Sequence, residues 1–178
     1  MTQDATTVKI LDASIGLFME KGLRGTSMEA VAKAAAVAKP TLYARFKNKD
    51  ELFAAVVLCV IAQLEEVVAA ELDKDGSVVD RVSAGLRGKY AVLNEMLGTS
   101  PHAEELITAP KRLVSDSFTA FEARLRTRIA QVIAEQSPDD AERLAHLVIA
   151  SADGINRLGT GPEAIAADVD LMVSKLLA

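Results

Sequence analysis

The chain holds one cysteine, Cys59, so an internal disulfide is impossible and no group of cysteines can bind a metal. Tryptophan is absent, and histidine is limited to His102 and His146, far apart in sequence, which leaves imidazole ligands and bases scarce. No unbroken apolar run approaches the roughly 20 residues that cross a bilayer, and the N-terminus lacks a charged-then-apolar leader pattern. A cytoplasmic location with no membrane partner is therefore expected. No nucleophile elbow, phosphate loop or metal-ligand helix occurs, which makes an all-helical enzyme the weakest functional class. The one calcium-like fragment, Asp73, Asp75 and Gly76, fails as a site. With Gly76 at the invariant glycine, Val82 stands where the bidentate acid belongs. No cofactor and no metal are expected.

What is present is a 178-residue chain that is 50% hydrophobic, enough to bury one substantial core or a small and a larger one. Its net charge of −5 would ordinarily disfavour nucleic acid, so the distribution of charge matters more than the total. Residues 1–50 carry eight Lys/Arg against five acids, a net +3, which leaves −8 for residues 51–178. Positive charge is concentrated where a phosphate-facing segment would need it.

The stretch Thr26 to Leu52, TSMEAVAKAAAVAKPTLYARFKNKDEL, organises the rest. Thr26 is placed to cap a short helix, with Glu29 completing a capping box. Met28, Val31, Ala32 and Ala35 follow at helical spacing and predict a buried stripe. Pro40 fits the first turn of a second short helix, where its missing N–H costs nothing. Leu42 and Phe46 then face inward, leaving Lys39, Thr41, Tyr43 and Arg45 pointing outward. A helix that enters the major groove is short and is steadied by a preceding helix, and these side chains can donate to phosphates and base edges. On spacing alone, an amphipathic helical hairpin with solvated charges fits equally well.

The run GTSMEAVAKAAAVAKPTLYARFKNKDELF resembles the N-terminal DNA-binding domain of the TetR family of bacterial transcriptional regulators, over about Val8 to Phe53. Tyr43, Phe46, Lys49 and Leu52 reproduce the family signature. The resemblance implies an all-α fold: a three-helix helix-turn-helix DNA-binding domain over residues 1–49, and an all-helical effector-binding and dimerisation domain over residues 50–178. It implies that Thr26, Ser27, Lys39, Pro40, Thr41, Tyr43, Arg45 and Lys49 form the DNA-binding surface, with Lys49 on a phosphate. Two positions depart from the pattern. Ala36 stands where the turn commonly has glycine, which predicts a turn without positive φ, and Ala38 stands where a capping serine is common.

Elsewhere, helical periodicity predicts a first helix over about Thr7 to Lys21, with Val8, Leu11, Ile15 and Phe18 inward and Gly22 as its stop. A long helix from Asp50 to Leu72, roughly 33 Å, would link the two domains and transmit ligand binding. Ser77 is a candidate cap for a helix over Val78 to Leu97. A short helix over His102 to Thr108, a boundary at Pro110 and a long helix to about Glu135 follow. The last two helices carry apolar and small residues, Leu144, Leu147, Val148, Ser151, Gly154, Ile155 and Leu158, then Ile165, Val169, Met172 and Leu176. In the TetR family the corresponding pair forms a four-helix dimer interface, so a homodimer is expected. Tyr90, Asn94, Met96, Phe118 and Phe121 are candidates for an apolar effector pocket, and equally good ordinary core residues. The function so implied is a homodimeric regulator, most simply a repressor that a small molecule releases from a near-palindromic double-stranded DNA operator. A DNA-binding regulator without an effector is the alternative.

Overall fold

Asp4 opens the first helix, α1 (Ala5–Gly25), by accepting the otherwise unpaired N–H groups of Thr6 and Thr7. In this computed structural model residues 4–98, 100–158 and 160–178 are described, with the side chains of residues 110–112 outside that description. A frayed end is expected over Met1 to Ala5 and a helix stop at residues 98–101; residues 1–3 and Thr99 lie outside the described residues, whereas Asp4 and Ala5 are not frayed but cap and begin α1. Nine helices and no strand are found among the described residues. The all-α expectation is therefore met.

The inward stripe of α1 differs from the periodic one. Leu11 and Phe18 are buried, but Val8 is 42% exposed, and Ile10 and Ser14 complete the face. Ser14 can sit there because its hydroxyl donates to the Ile10 carbonyl at 2.6 Å, so no polar group is left unpaired. Gly22, at φ 72°, ends the regular helix as expected, and the chain makes one more turn to Gly25. Glycine is favoured there because φ 72° with ψ 171° is a backbone conformation that L side chains rarely adopt, and a Cβ would also crowd Glu105 Oε2 at 2.6 Å and His102 Nδ1 at 2.9 Å.

Helices α2 (Met28–Ala34) and α3 (Lys39–Arg45) are seven residues each and are joined by a tight turn. Met28, Val31, Ala32, Ala35, Leu42 and Phe46 are all buried, as their spacing predicts. The cap of α2 falls one residue later than expected. Ser27 accepts the Ala30 N–H at 3.1 Å, whereas the Thr26 hydroxyl is turned inward and donates to the Gly22 carbonyl at 2.8 Å. The α2–α3 turn also corrects an expectation, because Ala36 adopts φ 53°. The reason lies in the hydrogen bonds: Val37 N–H reaches the Ala32 carbonyl and Ala36 N–H reaches that of Lys33. That pair of bonds is a Schellman motif, which places the intervening residue in the left-handed region whether or not it is glycine. Ala38 begins α3 with no side-chain cap, as its methyl side chain requires.

Helix α4 (Lys49–Leu72) begins with a cap of its own. Asn48 Oδ1 accepts the Glu51 N–H at 2.8 Å, and the Glu51 carboxylate accepts the Lys47 N–H at 2.8 Å. By length and composition α4 is apolar enough to cross a membrane. Its Leu52, Phe53, Val56, Val57, Ile61, Leu64, Val68 and Leu72 are nonetheless buried in the protein, the pattern of a core helix.

Helix α5 (Val78–Leu97) starts at Ser77, whose hydroxyl accepts the Asp80 N–H. Next come α6 (Ala103–Leu113) and α7 (Ser115–Ile133). The boundary expected at Pro110 is absent. Proline's fixed φ is compatible with a helix, and although its missing N–H and its ring cost an interior turn about 3 kcal/mol, α6 continues through it to Leu113 and the break falls at Val114. The chain ends in α8 (Ala141–Arg157) and α9 (Pro162–Leu176), packed on each other.

By contacts the chain divides into two compact units, residues 1–61 with 95–118, and residues 62–94 with 119–178. In the first, α1 packs on α2 and α6, α2 packs on α3, and the Phe18 ring meets the Phe53 ring edge-on at 5.3 Å. The second is centred on Leu72, Val82, Leu86, Ile129, Ile133, Val148, Val169 and Val173.

Ala36→Gly removes the side-chain penalty of a left-handed residue while loosening the unfolded chain, with a net gain of about 0.5–1 kcal/mol. Urea unfolding should show a higher midpoint with an unchanged slope.

Candidate nucleic-acid interface

The outward residues of α3 are set by the two that are buried. With Leu42 fully buried and Phe46 nearly so, Lys39, Pro40 and Tyr43 are exposed and Thr41 is half-buried beside them. Lys39 Nζ stands 3.6 Å from Glu29 Oε1, an exposed pair that joins α2 to α3 and leaves the ammonium accessible. Ser27 is exposed at the start of α2. Six of the eight expected contacts, Ser27, Lys39, Pro40, Thr41, Tyr43 and Arg45, thus lie on or beside one short helical hairpin with solvent access.

Two expected contacts are engaged elsewhere. Thr26 is 2% exposed, and its hydroxyl donates to the Gly22 and Leu17 carbonyls. Its side chain is a structural plug, and only its backbone remains for a partner. Lys49 Nζ donates to the Thr26 carbonyl at 2.8 Å and to the Arg24 carbonyl at 3.2 Å. In the unbound protein the signature lysine thus pins the α1–α2 connection to the start of α4.

Sequence reasoning missed the residues that support this surface. On α6 and just before it, Glu105 accepts the Leu23 N–H at 3.2 Å and stands 3.7 Å from Arg24, and the Ser100 hydroxyl donates to the Met19 carbonyl at 2.7 Å. Nothing local in the sequence marks these links, which join residues about eighty positions apart. Asp4 was findable as a cap, since aspartate stands directly before a helical run. Its second role was not, because Arg45 Nη2 donates to Asp4 Oδ1 at 3.0 Å across forty-one positions. The Thr7 hydroxyl and amide, with the Thr6 amide and Arg45 adding to them, hold the Asp4 carboxyl below the usual aspartate value.

The five candidate effector residues divide between the units. Tyr90, Asn94 and Phe121 belong to one, Met96 and Phe118 to the other. Tyr90 is 2% exposed and its hydroxyl donates to Asp153 Oδ1 at 2.6 Å; burial, then the Asp153 charge, pushes its pKa up. Lys89 is buried too, donating to the same oxygen at 2.9 Å and lying 4.6 Å from the Tyr90 ring centre. Asn94 donates to Asn156 Oδ1 at 3.1 Å. The polar members thus tie α5 to α8. A recess of about 570 Å³ in the second unit has none of the five on its wall; Asp75, Asp80, Arg87, Asp170 and Ser174 are among its lining residues.

A short, buried-on-one-side α3 held behind α2 defines a helix-turn-helix protein. The family model for bacterial regulatory proteins of the tetR family matches residues 10–56. Residues 10–56, about a quarter of the chain, thus carry a domain of that family. It is 32% identical over 72 residues to the biofilm operon icaADBC HTH-type negative transcriptional regulator IcaR of Staphylococcus aureus, covering 40% of this chain and 39% of that one. The matched stretch is therefore about two fifths of that relative's length. Similarity to solved structures extends further. A TetR-family transcriptional regulator from Streptomyces coelicolor superposes with TM-score 0.79 at 18% identity, over 99% of this chain and 90% of that one. SmeT in complex with triclosan does so with TM-score 0.71 at 20% identity, over 98% and 90%. At such identities the structures establish the shared fold.

Lys49→Ala leaves two carbonyls at the α1–α2 connection without their ammonium donor and should destabilise the protein by about 1–2 kcal/mol. A lowered melting temperature would register this, and an unchanged one would return Lys49 to a purely DNA-facing role. For Asp4 the depressed pKa means that its capping contribution is present above the ordinary aspartate value and is lost as pH falls through the lower folded value. The Thr6 and Thr7 amide resonances should titrate with that lower midpoint.

Proposed function

We propose that the protein is a homodimeric DNA-binding transcriptional regulator, most simply a repressor that a small molecule releases from a near-palindromic operator. The observation that carries the DNA-binding part is the set of outward side chains on one short helix, Lys39, Pro40, Thr41, Tyr43 and Arg45, within the segment that matches the family. Lys39 and Thr41, on the first turn of α3, are the base-reading candidates. Tyr43, one turn on, is suited to phosphate. The family description, regulatory proteins, favours this reading over an enzyme.

Dimerisation has a physical motive, since one helix-turn-helix reads few base pairs and two copies spaced about 34–36 Å read a palindrome. Support for the surface comes from α8 and α9, where Leu147 is 40% exposed, Leu158 71% and Leu171 60%. These are costly to leave in water and suit a partner copy. Around Gly154 no atom lies within 4 Å of where a Cβ would be, which leaves room for a close helix approach.

The effector part draws on the likeness of this chain's fold to that of SmeT, whose structure holds triclosan. A ligand weakens DNA binding only if it prefers the conformation that binds DNA poorly, and DNA then weakens the ligand equally. Helix α4, whose residues belong to both units, is the continuous element through which such a preference would act. The division into residues 1–49 for DNA and 50–178 for effector and dimer belongs to the same proposal, as does a cytoplasmic location.

Binding to labelled duplexes from the region upstream of the protein's own gene, followed by fluorescence anisotropy, tests the reading. Affinity should fall steeply with salt. Tyr43→Phe should weaken binding to every sequence alike, and changes at Lys39 or Thr41 should alter the preferred base, by about 1–3 kcal/mol at that position. Leu158→Arg should yield monomers by sedimentation and lose operator binding. A wild-type monomer that ignores every duplex at low salt overturns the proposal.

A further inference from the structure

The Asp4–Arg45 pair has a chemical feature that the other surface pairs near α3 lack. Asp4 is held in place independently of it. Oδ1 accepts the Thr6 N–H at 3.0 Å and the Thr7 N–H at 3.2 Å, and Oδ2 accepts the Thr7 hydroxyl at 2.9 Å. The carboxylate is thus fixed at the start of α1 by the helix it caps, and Arg45 comes to it from the last turn of α3 with Nη2 at 3.0 Å. One guanidinium nitrogen is engaged among the described residues, and the Arg45 side chain keeps 33% of its exposure. A guanidinium has five N–H donors and binds carboxylate and phosphate oxygens with the same planar geometry.

We propose that Asp4 sets the DNA affinity of this protein, by occupying Arg45 with an internal oxyanion that a DNA phosphate must displace. The inference rests on the DNA-binding reading given above. In the free protein the carboxylate holds Arg45 close to α1. On DNA the guanidinium exchanges one oxyanion for another, and the net gain from that contact is smaller than an unpaired arginine would deliver. The pair is exposed on both sides and so is held weakly enough to exchange. Asp4 is thereby a positioning residue, acting on DNA through Arg45. Its cost to affinity falls equally on operator and non-operator DNA, since phosphates carry no sequence information.

The test exploits a property of caps. Asparagine caps a helix as well as aspartate does, so Asp4→Asn removes the charge and keeps α1 intact. An unchanged melting temperature verifies this, and Asp4→Ser, another good cap, serves as the second variant. Both should bind an upstream duplex and an unrelated duplex of equal length roughly fivefold more tightly at low salt, a size set by exposed ion pairs in each of two subunits. In an Arg45→Ala background, itself weaker in binding, Asp4→Asn should give no more than the small gain seen with Asp12→Asn, an exposed acid elsewhere on α1. An equal gain with and without Arg45 would reduce Asp4 to one negative charge among others and overturn the proposal. A loss of affinity on Asp4→Asn would overturn it as well, by making the pair a brace for α3. If the wild type binds no duplex at all, the regulator reading fails first; if it binds and the variants do not differ from it, only the present inference fails.

Discussion

The connection between α1 and α2 must turn sharply, and every other feature of the candidate interface depends on how its backbone groups are satisfied. Buried or half-buried carbonyls and amides need partners, and in this turn side chains supply them. Thr26 donates inward to Gly22 and Leu17, Lys49 donates to Arg24 and Thr26, and Glu105 accepts from Leu23. Three elements, the end of α1, the start of α4 and the start of α6, therefore meet through these seven residues. The α2–α3 hairpin inherits its placement from that junction.

This arrangement gives a physical sense to the division of labour within the first unit. The buried face of the hairpin is apolar and small, and it fixes where α3 lies. The polar junction fixes the angle at which the chain enters it. The exposed face is left with few internal commitments apart from Lys39 on Glu29 and Arg45 on Asp4. Each of these is an oppositely charged pair at the surface, a weak contact that a more strongly charged partner can replace.

Much of the fold was legible because helices announce themselves by periodicity. The buried residues of α2 and α3, the extent of α5 and the Ser77 cap follow from spacing and from residues with strong local preferences. What stayed hidden was of two kinds. One was local but underdetermined. Neighbouring Thr26 and Ser27 are both good caps, and only the burial of Thr26 decides between them. Likewise, alanine at position 36 argues against positive φ, yet the Schellman bonds outweigh its preference. The other kind was non-local. Links such as Glu105 to Leu23, Asp4 to Arg45 and Lys89 to Asp153 join residues far apart in the chain, and no window on the sequence contains both partners. The outward faces were readable and the polar braces behind them were not.

The bonds between α5 and α8 act as a ratchet pawl. Lys89 and Tyr90 grip Asp153, and about one turn further along each helix Asn94 grips Asn156. Sliding α8 along α5 would strip a buried ammonium of its counter-ion and an amide of its mate together, so creep between the helices is opposed at two points at once. The apolar ridge of Leu147 and Leu158 is consequently offered outward at one fixed phase.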